Sequence, residues 1–239
     1  MQLEFLGIGS FFAKNSFHNN LLINDRILID CGFMAGQALR ANNQSFAQIE
    51  HIFITHTHAD HIGGLEECAF FHKFMHGGTR PKLYLPSALV DKLWSNSLQG
   101  GLEDIETGGA HLSDYFDVVE VSEEFEIEDI PFKIVPTFHV PNKFCCGLTI
   151  DNRIYFSGDT QFDADQIIQN GDSAEIIYHD CQFFTGGIHA GLDEMMTLPE
   201  SLRRKISLMH LPDNYVDNID KTLRAGFTFA EQHKLYTFK

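Results

Sequence analysis

The run Ile52-Phe-Ile-Thr-His-Thr-His-Ala-Asp-His-Ile-Gly-Gly64 constrains this chain more than any other stretch. Ile52 to Thr55 are apolar or small and read as the end of a buried strand. His56, His58, Asp60 and His61 then place four metal-ligand side chains within six positions, before a helical pattern begins. Alternation in the extended part sends His56 and His58 to one side, and a turn into a helix lets Asp60 and His61 face the same space. Imidazole and carboxylate donors at this density suit zinc and similar ions, with a position left open for water. The expectation is a pair of adjoining metal sites rather than a packing cluster.

His56-Thr-His-Ala-Asp-His61 is similar to the His-x-His-x-Asp-His signature of the metallo-β-lactamase-fold hydrolases, and the resemblance runs along essentially the whole chain. It implies an α/β fold, a four-layer αββα sandwich in a single domain over residues 1–239, with two metals at one edge. It also implies further ligands, each following an apolar strand. His139 ends Lys133-Ile-Val-Pro-Thr-Phe-His139, Asp159 lies in Ile154-Tyr-Phe-Ser-Gly-Asp-Thr160, and His210 ends Ile206-Ser-Leu-Met-His210. By resemblance His56, His58 and His139 hold one ion, Asp60, His61 and His210 hold the other, and Asp159 bridges both. Donor type makes the ions zinc first and manganese second. Asp30, in Ile27-Leu-Ile-Asp-Cys-Gly32, stands where the family places an acidic residue beside the histidines. There it can accept a ring N–H and fix a ligand's tautomer, although a plain strand-end turn residue before Gly32 fits the same sequence.

Two divalent ions and two aspartates leave a net cationic site that attracts a compact anion. Metals about 3.5–4 Å apart can activate a shared water and clamp both oxygens of a phosphoester, so attack by a metal-bound hydroxide is expected. Asp60 would orient that water or take its proton. Gly187-Ile-His-Ala-Gly-Leu-Asp-Glu194 resembles the His-Ser-Thr-x-x-Glu-Ala segment of the tRNase Z-like phosphodiesterase branch, with Gly191 and Met195 departing from it. The resemblance implies that His189 protonates the departing oxygen, with Glu194 hydrogen-bonded to it to keep it charged. Within that branch, Gly101-Leu-Glu-Asp-Ile105, His179-Asp-Cys181, Ile188-His-Ala190 and Thr197-Leu-Pro-Glu200 look like the anti-Pycsar proteins, which hydrolyse cyclic nucleotides. A cyclic mononucleotide of the cCMP or cUMP type, with cAMP and cGMP next, is the implied substrate, and a homodimer the implied assembly. No residue is assigned to the base.

Charge separates the competing functions. With 17 Lys and Arg against 33 Asp and Glu, the formal charge is −16, which disfavours nucleic acid as a partner. No basic arm for tRNA is visible, so a tRNase Z-like 3′-processing endoribonuclease is the alternative. A nucleotide-sequestering binding protein and a lactonase or glyoxalase-like thioester hydrolase are the others.

Five cysteines, an odd set without C-x-x-C spacing, indicate neither a disulfide framework nor a zinc knuckle. Met1 leads directly into the strand-like Gln2–Leu6 and no apolar run reaches membrane-spanning length, so a cytoplasmic protein without membrane contact is expected. A Thr197/Glu200 capping box, surface positions for His72 and His76, and a loose rim loop over Gln99–Leu102 and Thr107–Ala110 are further expectations.

Overall fold

The computed structural model describes residues 1–105 and 108–239, so Thr107 of the expected rim loop lies outside the described residues. The described chain divides into two compact units. The first comprises Met1–Gly7, Phe17–Ser122 and Gln232–Lys239, and the second Ile8–Ser16 and Glu123–Glu231.

The first unit carries β1 (Gln2–Gly7), β2 (Asn20–Ile23), β3 (Ile27–Ile29), β4 (His51–Phe53), β5 (Lys82–Pro86) and β6 (Asp117–Val121). The second carries β7 (Glu124–Ile127), β8 (Ile130–Thr137), β9 (Cys145–Ile150), β10 (Ile154–Phe156), β11 (Ile176–Asp180), β12 (Ile206–Met209) and β13 (Thr228–Phe229). The chain then returns to the first unit for β14 (Leu235–Thr237). The sheets run β14-β1-β2-β3-β4-β5-β6 and β13-β12-β11-β10-β9-β8-β7.

Each sheet is antiparallel in one half and parallel in the other. Pairs β14/β1, β1/β2 and β2/β3 are antiparallel, whereas β3/β4, β4/β5 and β5/β6 are parallel. Likewise β7/β8, β8/β9 and β9/β10 are antiparallel, and β10/β11, β11/β12 and β12/β13 are parallel. Three of the antiparallel hairpins turn on two residues with positive φ: Asn24-Asp25 (49° and 61°), Glu128-Asp129 (50° and 65°) and Asp151-Asn152 (53° and 53°). That is the twist of a two-residue hairpin turn, which Asn and Asp tolerate best after Gly.

Short parallel strands such as Ile27-Leu-Ile29, Ile154-Tyr-Phe156 and Ile206-Ser-Leu-Met209 are wholly buried, as a strand covered on both faces must be. The carboxyl ends of such strands are where ligand-binding loops of α/β sheets arise. Here β3 delivers Asp30, β4 the histidine-rich turn, β10 Asp159, β11 Asp180 and β12 His210.

Helices connect the parallel strands. The first unit has α1 (Ala35–Ala41), α2 (Ala59–Ile62), α3 (Leu65–Phe70), α4 (Val90–Leu93) and α5 (Gln99–Leu102), the last falling where a loose rim was expected. Gly100 and Gly101 therefore lie in a helical turn and not in an open loop. Wider π turns extend α3 through Met75 and join α4 to α5 over Trp94–Leu98. His72, expected on the surface, is buried and its Nδ1 lies 2.8 Å from the Thr79 hydroxyl.

The second unit has α6 (Ala164–Gly171), capped by the Asp163 carboxylate on Gln166 N–H, then α7 (Leu192–Met195) and α8 (Glu200–Arg203); α9 (Ile219–Arg224) follows. The Thr197/Glu200 capping box does not form. Pro199 occupies the cap position of α8, and the Thr197 hydroxyl donates back to the Glu194 carbonyl. Among the described residues, no helix is long and apolar enough to cross a membrane.

Candidate metal centre

In the first unit, Asp30 organises the histidine-rich turn. Its φ of 62° turns its carboxylate back from the end of β3. It is fully buried and accepts the Thr55 backbone N–H at 2.8 Å and the Thr55 hydroxyl at 2.8 Å. Its Oδ2 also accepts the His61 Nδ1–H at 2.7 Å. Spending Nδ1 on Asp30 leaves His61 Nε2 as the ligand atom. Burial pushes the Asp30 carboxyl up, with the His61 charge and bond and the Thr55 donors opposing it.

Gly32 permits the close approach this needs. A Cβ there would lie 1.9 Å from the Asp60 carbonyl oxygen, while Cys31 N–H donates to the His61 carbonyl and Phe33 N–H to that of Ala59. His58 stands at the N-cap of α2 in extended conformation, and Asp60 and His61 lie in its single turn. His56 Nε2 and His58 Nδ1 are 3.0 Å apart, and Asp60 Oδ2 is 3.4 Å from His61 Nε2.

In the second unit, His139 follows β8 and its Nδ1–H donates to the Ile188 carbonyl at 2.7 Å, again leaving Nε2 for a ligand. Burial draws its pKa below the ordinary imidazole range against the pull of Asp159, favouring the neutral form that ligates. Gly158, at φ 58°, turns the chain after β10. There a Cβ would lie 2.4 Å from the Cys146 carbonyl oxygen. Asp159 Oδ2 stands 3.4 Å from His210 Nε2, 3.7 Å from His139 Nε2 and 3.9 Å from His189 Nδ1.

Asp180 is the functional candidate that sequence reasoning did not assign. Its Oδ2 accepts the His189 Nδ1–H at 2.8 Å and the Thr160 backbone N–H at 3.2 Å, and its Oδ1 lies 3.2 Å from His179 Nδ1. Burial pushes this carboxyl up, but the bonds and charges of His179 and His189 outweigh it and hold it below the usual carboxylate range. Glu194 does not fill that place. Its Oε2 accepts the Gly191 N–H at 2.9 Å at the entry of α7, so the expected Glu194–His189 pair is corrected to Asp180–His189. A signal existed: Asp180 ends the apolar run Ile176–Asp180, as His139, Asp159 and His210 follow theirs.

These donor sets fit divalent ions. Ligand atoms about 2.0–2.1 Å from a tetrahedral zinc are about 3.3 Å from one another. The 3.0 Å His56/His58, 3.4 Å Asp60/His61 and 3.4 Å Asp159/His210 separations match that edge. Donor atoms of Asp159, Asp180, His189 and His210 all lie within 4.8 Å of one another.

Asp30 provides a direct test of how the turn is held. Asp30→Ala is expected to weaken zinc affinity about 10- to 100-fold, the usual cost of losing a residue that orients a ligand histidine. Chelator competition reads this, and unchanged affinity in a folded variant would refute it.

A family model described as Anti-Pycsar protein Apyc1 matches residues 1–236. The Anti-Pycsar protein Apyc1 of Paenibacillus xerothermodurans is 39% identical over 247 residues, spanning 100% of this chain and 98% of that relative. The metallo-β-lactamase fold protein YhfI from Bacillus subtilis superposes with a TM-score of 0.71 at 17% identity, covering 98% of each chain. A diphosphatase from the PhnP family gives 0.76 at 17% identity, covering 100% of this chain and 98% of that one. The two structures carry the α/β metallo-β-lactamase fold expected from the sequence across the whole length. The family model and the sequence relative narrow it further: the chain belongs to the Anti-Pycsar protein Apyc1 family.

Proposed function

We propose that this chain is a metal-dependent phosphodiesterase that opens a cyclic mononucleotide to its linear monophosphate. The observation that carries the reading is the Asp159 carboxylate among His139, His189 and His210, with Asp180 fixing His189 from behind. His56, His58 and His139 are assigned to one ion, Asp60, His61 and His210 to the other, and Asp159 to both. By the family resemblance, residues 1–239 are taken as a single domain. Zinc is the first choice and manganese the second by donor type. When bound, two divalent ions supply positive charge and lower the pKa of a coordinated water to about 7.

The side chains divide the remaining work. Asp60 orients the attacking water and accepts its proton. His189 uses Nδ1 on Asp180, so Nε2 is the nitrogen assigned as proton donor. As water oxygen bonds to phosphorus, one P–O ester bond breaks, and the Nε2 proton goes to the departing sugar oxygen. Asp180 positions the imidazole and stabilises its charged form, and Glu194 serves the entry of α7. A cyclic nucleotide, with one phosphate and one base, also suits a chain of charge −16 better than tRNA does.

A homodimer and a cytoplasmic location complete the reading. The first follows the family resemblance. The second follows from the five cysteines, an odd set without the spacing of a disulfide framework.

A side-by-side assay tests the substrate: cyclic CMP, UMP, AMP and GMP against a tRNA bearing a 3′ trailer, at physiological salt. Linear monophosphate is the expected product. Trailer removal with inert cyclic nucleotides would leave the endoribonuclease standing, bound but intact nucleotide a sequestering protein, and turnover of only a lactone or thioester the remaining alternative.

A further inference from the structure

Ile8–Ser16 is a short excursion of the chain into the second unit, and it carries two exposed phenylalanines midway. Phe12 is 81% exposed and Phe11 38%. Their rings meet edge to face, with centroids 4.9 Å apart and planes at 64°, an orientation aromatic pairs favour. Leaving this apolar surface in water forgoes the stabilisation its burial would bring, about 25 cal/mol per Å².

The tip is held firmly. Leu211 N–H donates to the Ile8 carbonyl at 2.7 Å and Ser10 N–H to the Leu211 carbonyl at 3.0 Å. On the far side, the Asp213 carboxylate accepts the Lys14 and Asn15 backbone N–H groups at 3.0 Å each. Leu211 is the residue after His210, whose own φ is 53°. The aromatic pair is thus fastened by main-chain bonds to the residue next to a proposed metal ligand. Gly9 pairs with Leu211, so one residue step, one strand spacing and two more steps place the Phe11 Cα within about 16 Å of the His210 Cα.

We propose that the Phe11–Phe12 tip is the platform on which the nucleobase of the substrate stacks, with Phe12 the stacking ring and Phe11 the edge that fixes it. The assignment rests on the phosphodiesterase reading and adds the base contact that reading lacks. A pre-oriented ring loses little conformational entropy on binding. It recognises any base by its π face, which suits a chain whose net negative charge gives no broad attraction to nucleotides.

The test compares equilibrium dialysis of 5′-CMP and ribose 5-phosphate with the zinc-loaded protein. The two ligands share the phosphate and ribose, so their affinity ratio isolates the base and requires no turnover. Stacking at about 1–3 kcal/mol per base predicts that wild type prefers CMP by about 5- to 150-fold. Phe12→Ala should bring the ratio close to one and raise KM for cyclic nucleotides by a similar factor at unchanged kcat, and Phe12→Trp should restore both. Phe12 is exposed, so its loss leaves the fold intact, and circular dichroism checks this. A wild-type ratio near one overturns the proposal, as does a ratio that survives Phe12→Ala. A smaller assembly in sedimentation with that ratio intact would mean the tip contacts a second copy instead. If the dialysis result holds while no cyclic nucleotide is hydrolysed, the phosphodiesterase reading fails and the stacking site stands.

Discussion

Asp159→Ala is expected to remove most of the bound metal and to lower phosphodiester hydrolysis on the order of 10³-fold or more, the scale of losing charge stabilisation and an acidified water together. The carboxylate is buried, with its Oδ2 within 3.9 Å of three imidazole nitrogens. Without it, His139 and His210 remain as neutral donors with no anion to offset the charge of an ion, and a buried cation lacking a counter-charge is costly. Elemental analysis should fall from about two metals per chain in the wild type, the number the ligand set provides for.

Stability supplies an independent check. A ligand that binds only the folded state stabilises it by about 2.7 kcal/mol at a hundred times its Kd. Zinc should therefore raise the Tm of the wild type well above that of its chelated form, and do so far less for Asp159→Ala. Full metal content in Asp159→Ala together with His61→Ala would refute the ligand assignment.

The parts of this architecture legible in the sequence are those where one residue type answers one local demand. Four ligand-type residues after an apolar strand mark the turn at His56–His61, and Asn24-Asp25 fits its hairpin because few residues accept positive φ in succession. The strand β7 is hard to read from the sequence for a physical reason. Its pattern Glu124-Phe-Glu-Ile127 alternates as a strand should, yet two glutamates in four positions read as solvated surface next to Ser122 and Glu123. His72 differs in the opposite sense, since its burial comes with a side-chain contact to Thr79, seven residues on, which no periodicity announces. Glu194 keeps the family's spacing to His189, but its carboxylate bonds to Gly191 instead. Three residues after Gly191, a glutamate at the start of a helix can reach back to a backbone N–H. The histidine's partner came instead from β11, whose acidic end carries the same signature as the ends of β8 and β10.

That partner leads to the second large effect, which depends on the leaving group. His189→Ala is expected to lower kcat for cyclic nucleotides by about 10²–10⁴-fold, the range for a positioned general acid, with metal content unchanged. The alkoxide expelled from a ribose ring is a strong base and needs a proton as the P–O bond breaks. The p-nitrophenolate expelled from bis(p-nitrophenyl) phosphate does not, so hydrolysis of that ester should fall by no more than a few-fold. Asp180→Asn should show the same split at smaller size. Its amide can still meet His189 Nδ1 at the 2.8 Å contact but brings no charge to stabilise the protonated ring. Asp180 also lies within 4.8 Å of the donor atoms of Asp159 and His210, so metal analysis of the same samples distinguishes positioning from ligation. Equal losses on both esters with metal retained would mean that His189 acts on phosphate binding and not on the departing oxygen. Loss of metal from Asp180→Asn would instead make Asp180 a ligand. If Glu194→Gln reproduced the leaving-group split and Asp180→Asn did not, the partner would be Glu194 after all. The bond of Glu194 to Gly191 predicts the opposite, a variant with near-normal rates on both esters.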